Sequence, residues 1–211
     1  MMNVMKSSVW VTVAVCLVGG AAQAGAGPNQ SAMSQAVKKY LNEHGDLCVG
    51  KSNWPRTVTE QDRQAGSNDA LQLPVLERLG LVESAPAAAS DAVGPARRYT
   101  LTAKGRQFYV QKKVTVLGAH DRPVERDADF CVARLSLDKV VKWSSPEEAH
   151  GHVETMVSYT YKIKPADWMV DPEARKVFPV VDRIIRGEGK ALMTATLQAQ
   201  NGKWVPVLPG Q

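Results

Sequence analysis

The sequence predicts an α+β protein in which a helix-rich N-terminal part precedes a small antiparallel sheet with one covering helix. Three observations carry this reading. Apolar residues recur at helical spacing from Ser31 to Leu41, they alternate along His152 to Ile163, and Asn201-Gly202 divides two further apolar stretches as a tight hairpin turn does. The 211 residues hold 26 Lys and Arg against 21 Asp and Glu, with 44% hydrophobic residues, a balance that excludes a disordered chain. No apolar run reaches the ~18–20 residues of a membrane-spanning helix. Gly and Pro are too few and too aperiodic for a fibrous protein.

Residues 1–24 stand apart from the rest. Lys6 is their single charge, the apolar stretch Val9 to Val18 follows, and Gly19-Gly20 leads into Ala22-Gln23-Ala24. A positive start, a short apolar core and small residues at the -3 and -1 positions make a secretory signal peptide cleaved between Ala24 and Gly25. The core is too short for an anchor of ~17–25 residues, and Val15 before Cys16 is not the small residue that a lipoprotein site requires. The expected location is periplasmic. Removing this leader leaves 25 basic and 21 acidic residues and two cysteines, Cys48 and Cys131. In an oxidising compartment such a pair forms a disulfide. Closing a loop of about 84 residues would restrict the unfolded chain by roughly 4–5 kcal/mol in the entropy model.

The elements follow in order. Met33, Ala36, Val37, Tyr40 and Leu41 form one stripe of an amphipathic helix that Gly45 stops. Leu47-Cys48-Val49 reads as a short strand and Trp54-Pro55 as a turn. Thr59 caps a short helix from Glu60, and Ser67 or Asn68 caps another carrying Leu71, Val75, Leu76 and Leu79, which Pro74 should shorten or bend. Leu81-Val82-Glu83 pairs with Arg98 to Leu101 around the small-residue tip 84–96, and Thr102 caps a helix reaching Tyr109. From Phe130, the residues Cys131, Ala133, Leu135, Leu137, Val141 and Trp143 make one strand face. His152 to Ile163 is a second strand. Asp171-Pro172-Glu173 opens the covering helix, with Ala174, Val177, Phe178, Val181, Ile184 and Ile185 as its buried stripe and Pro179 as a break.

Leu76 to Val82 (LERLGLV) and Tyr99 to Arg106 (YTLTAKGR) resemble the local signature of winged-helix regulators, in which the first segment ends the recognition helix and the second leaves the wing. The resemblance covers residues 70–111 and implies a winged-helix-like module over 25–112, followed by a sheet-and-helix module over 113–211. Cys131, Val140-Val141, Tyr159-Thr160-Tyr161-Lys162 and Trp168 resemble a layout of exported Gram-negative proteins of unknown function, which implies export and architecture but no activity.

The recognition-helix position carries Asp69, Gln72, Pro74, Glu77 and Arg78, a poor set for phosphate and base contacts, so nucleic acid is not the expected partner. Residues 97–126 instead carry a net +6, and Arg97, Arg98, Lys104, Arg106, Lys112 and Lys113 form the expected contact surface for an envelope protein or an anionic envelope component. His150, His152 and Glu154 are weak metal-ligand candidates without a family-specific spacing. No G-x-S-x-G elbow or phosphate loop is present. No cofactor is expected. The reading is a non-enzymatic exported binding protein. Its alternatives are a metal-binding or hydrolytic envelope enzyme built on His150 and His152, and a DNA-binding regulator if the leader stays uncleaved.

Overall fold

The structure is a computed structural model and describes residues 27–87, 95–112, 114–117, 123–149 and 151–207. The leader with its Ala24–Gly25 boundary, most of the 84–96 tip, Lys113 and His150 lie outside the described residues. Helix α1 (Gln30–His44) starts at Asn29, whose side chain accepts from the Ala32 N–H, and ends at Gly45. Next come β1 (Asp46–Cys48), β2 (Arg56–Val58), α2 (Glu60–Gln64) and α3 (Asn68–Arg78). Thr59 and Asp62 form a capping box on α2, and Ser67 caps α3. Pro74 neither shortens nor ends α3, because the helix runs on through Arg78.

The hairpin of β3 (Val82–Pro86) and β4 (Arg97–Leu101) pairs with β2 in the order β2-β4-β3. Helix α4 (Ala103–Arg106) stops three residues before the expected Tyr109. Tyr109 instead opens β5 (Tyr109–Val110), which pairs with Phe130 and Asp129. Backbone pairing with a long strand outweighs one more helical turn. Strands β6 (Val114–Leu117) and β7 (Pro123–Arg126) make a separate hairpin. The long β8 (Asp129–Trp143), β9 (Glu147–Ala149) and β10 (His152–Pro165) lead to a 3₁₀ turn at Asp167–Val170. Helices α5 (Pro172–Val177) and α6 (Pro179–Arg186) then precede β11 (Met193–Gln200) and β12 (Lys203–Pro206). The break between α5 and α6 falls at Phe178, as Pro179 requires. Asn201 and Gly202 turn the last hairpin with φ of 51° and 75°.

The large sheet is antiparallel, in the order β1-β8-β10-β11-β12, with β5 on β8 and β9 on β10. Its β8–β10 pairing departs from simple alternation at two bulges. Tyr161, Tyr159 and Val157 oppose Leu137, Val140 and Trp143, so β8 advances three residues for every two on β10. These bulges bury Val140 and leave Val141, the expected inward residue, 47% exposed.

The helix that covers this sheet is not the expected one. Met33, Ala36, Val37 and Leu41 of α1 pack on Val140, Val157, Tyr159 and Leu197. The apolar residues Ala174, Phe178 and Val181 of α5 and α6 instead join Leu73, Leu76, Leu101, Phe130 and Trp168 in a second core. An unbroken 15-residue helix presents a longer apolar stripe to a sheet than two short ones divided at Phe178. Tyr159 lies in the first core, where burial pushes its phenol up to about 12. Tryptophans serve the cores as well: Trp168 is buried, and Trp54, Trp143 and Trp204 pack against their margins.

Gly105 marks the tightest approach, since a Cβ there would lie 1.8 Å from the Leu81 carbonyl oxygen. Gly105→Ala must therefore push α4 away from the hairpin, and a loss of about 2–3 kcal/mol is expected in urea unfolding. An unchanged midpoint would contradict this packing.

Candidate functional site

Lys51 is the least expected polar residue in the molecule, because its side chain is only 2% exposed. The backbone brings it there. Strand β1 ends at Cys48, which is joined to Cys131 on the neighbouring β8 by a disulfide with S–S 2.12 Å. Two residues later Gly50 takes a φ of 75°, a value that favours glycine. The fully buried Asp129 holds the turn: its Oδ2 accepts from the Gly50 N–H at 3.1 Å, and its Oδ1 accepts from the N–H groups of Lys51 at 2.6 Å and Phe130 at 2.7 Å.

The Lys51 ammonium then donates to Asp69 Oδ1 at 2.6 Å, and Arg56 Nε donates to Asp69 Oδ2 at 2.6 Å. Burial pulls the Lys51 ammonium below its ordinary range against the opposing pull of Asp69. Burial works in the other direction on Asp69, but hydrogen bonds and charge from Lys51 and Arg56 outweigh it and hold that carboxyl below the usual carboxylate range. The group borders a polar cleft of about 300 Å³, lined also by Ser67, Asn68 and Gln72. With Asp129, whose charge also acts on Lys51, two carboxylates face the two cations. Asp62, also in the lining, is occupied by the Thr59 N–H and hydroxyl. The arrangement fastens the loop after β1 to the first turn of α3.

The expected basic residues do not act alike. Arg97 donates to the Ser84 hydroxyl and pairs with Glu77 at 3.7 Å. Lys104 donates to the Leu79 carbonyl at 2.9 Å, capping the end of α3. Lys112 pairs with Asp46, which also binds Arg134 at 2.7 Å. Arg98 on β4 and Arg106 at the end of α4 are exposed and make no ion pair among the described residues. Among the described residues of the set, these two are the cations whose side chains make no ion pair or hydrogen bond.

His152 and Glu154 sit two apart on β10, opposite Ala149 and Glu147 of β9. Among the described residues, no group of three His, Cys, Asp or Glu side chains could hold a metal ion. Helix α3 is engaged within the chain. Gln72 Nε2 donates to the Val177 carbonyl at 3.0 Å, and Arg78 pairs with Asp171 at 2.7 Å. Among the described residues no helix is long and apolar enough to cross a membrane. Comparison with models of protein families, with curated proteins and with solved structures found no match.

Sequence reasoning missed the Lys51 cluster. Asp69 shows only as an acid in a helix's first turn, and no periodicity marks Lys51 as buried.

The cluster sets a pH dependence. A carboxyl held below its unfolded value stabilises the fold above that value, and the contribution is lost as pH falls from the unfolded value through the folded one. Asp69→Asn should lower stability at neutral pH by roughly 2–3 kcal/mol, since it strands the Lys51 charge, and should flatten the loss of stability below about pH 4. Urea unfolding across acid pH measures both, and an unaltered acid profile would contradict the assignment.

Proposed function

We propose that the chain is an exported, periplasmic binding protein without catalytic chemistry. It contacts an envelope protein or an anionic envelope component through a cationic surface. The carrying observation is that Arg98 and Arg106 stand exposed and unspent within a segment of net +6. The Cys48–Cys131 disulfide favours an oxidising compartment, in keeping with the leader.

We read residues 25–112 as containing a winged-helix-like module, on the order of β2, α2, α3, β3 and β4 and on the β2-β4-β3 sheet. Within that span, helix α1 packs against the large sheet instead of against the β2-β4-β3 hairpin region. The engagement of Gln72 and Arg78 with the 171–177 segment favours an envelope partner over a DNA groove, because those side chains are already bonded.

Co-sedimentation of the mature chain with isolated envelopes tests the reading. The bound fraction should fall as salt is raised, and Arg98→Glu with Arg106→Glu should lower it at low salt. Binding indifferent to both salt and charge reversal, or no binding, would overturn the proposal.

A further inference from the structure

The face of the large sheet that α1 leaves uncovered has a charge pattern that the proposal above does not use. Residues paired across an antiparallel ladder point to the same side. Four successive rungs on this face are Lys142 with Ser158, Lys139 with Thr160, Ser136 with Lys162, and Arg134 with Lys164. Every rung carries a cation, and the last carries two directly opposite each other. The bulges in β8 matter here, since three-residue steps keep both Lys139 and Lys142 on the open face while Val140 turns inward.

Lys139, Lys142, Lys162 and Lys164 are exposed and make no ion pair among the described residues. Two acids share the face: Asp138 accepts from the Thr160 hydroxyl at 2.8 Å, and Asp46, across from Arg134 on β1, pairs with Arg134 at 2.7 Å, so the lysines are the cations left unpaired. Arg134 is engaged by Asp46 and the Asn42 carbonyl, but the four lysines have no such partner, and like charges on adjacent rungs cost stability, so the lysines do nothing for the fold itself. At the Arg134–Lys164 end lies a cleft of about 210 Å³, lined by Phe108, Val110, Val132 and Pro165 together with Lys164 and the Arg134–Asp46 pair.

We infer that this ladder docks an extended acidic segment of a partner protein, with carboxylates over the lysines and an apolar side chain in the cleft. Alternate side chains of an extended chain repeat every ~6.6–6.8 Å, and so do the rungs. A linear array therefore matches a linear polyanion. An anionic membrane fits less well, because no large apolar or aromatic side chain projects from the four rungs to enter the headgroups. The exposed Met156 lies one rung beyond Ser158. This inference rests on the reading of the chain as a binder of an anionic partner, and it adds a second surface and names the partner's chemistry.

The test uses the mature chain and a fluorescent peptide of alternating Glu and Ser with a Phe at one end. Its comparators are the same peptide with Ser for Phe, and phosphatidylglycerol vesicles. Replacing Lys139, Lys142, Lys162 and Lys164 by Gln should weaken peptide binding by about tenfold or more. Replacing Lys38, Lys39, Lys176 and Lys190 by Gln removes the same charge from other exposed positions and should change it less than about twofold. Loss of the Phe should weaken binding to the unaltered chain. Unfolding midpoints of both variants confirm folding, and relief of repulsion should leave the ladder variant no less stable than the parent. Equal weakening by both variants, no dependence on the Phe, or vesicle binding tighter than peptide binding would each overturn the inference. If envelope binding remains salt-sensitive when the peptide test fails, only this inference falls. If both fail, the binding proposal falls with it.

Discussion

The first five residues of β8, Asp129 to Ala133, are buried, and the rest of the structure is fastened to them. Asp129 anchors the turn at Gly50 and Lys51, and Cys131 is bonded to Cys48. The Val49 N–H donates to the Phe130 carbonyl, the Cys131 N–H donates to that of Phe108, and the Ala166 N–H donates to that of Val132. Backbone groups buried this deeply must find partners or cost free energy. Segments distant in sequence therefore have to arrive together. Phe130 and Val132 then share one core with Leu73, Leu101, Trp168 and Phe178, so the hairpin, α3 and the α5–α6 pair pack around the same strand.

Beyond Ala133 the same strand changes character. One face is covered by α1 and the other is open, and β8 shifts from all-buried to an alternation broken by bulges. This division places polarity where the molecule meets other things. The Lys51–Asp69–Arg56 cluster sits at the buried end and is consumed by the fold. The unpaired lysines sit at the open end and are not. Burial separates a structural ion cluster from a candidate contact surface more sharply than charge count does.

Much of the secondary structure was legible because its signals are local. The Ser31 to Gly45 helix, the Thr59, Ser67 and Thr102 caps, the Asp171-Pro172 start, the break at Pro179 and the Asn201-Gly202 turn each depend on a few neighbouring residues, although the apolar stripe did not place the Asn29 cap. Partner choice was not legible. Nothing in the stripe of α1 says that it covers the large sheet, and nothing in Phe108-Tyr109 says that β8 will end their helix. Bulges were hidden too, since Val140 and Val141 are alike in sequence and only pairing with β10 decides which turns inward. For the candidate site, Arg98 and Arg106 were visible as charges, but the engagement of Arg97, Lys104 and Lys112 required distances. The register of Lys162 with Lys139, Lys142 and Lys164 depended on the ladder.

The central claim is that the buried start of β8 joins the hairpin region and the large sheet into one cooperative unit. Native-state hydrogen exchange tests it most directly. The Val49, Cys131 and Ala166 amides, bonded at that junction, should exchange with the same free energy as Leu81 near α3 and Leu135 in the sheet, all through global unfolding. Exchange of Val49, Cys131 and Leu81 at a distinctly lower free energy than Leu135 would mean that residues 46–110 open on their own, and would contradict the account.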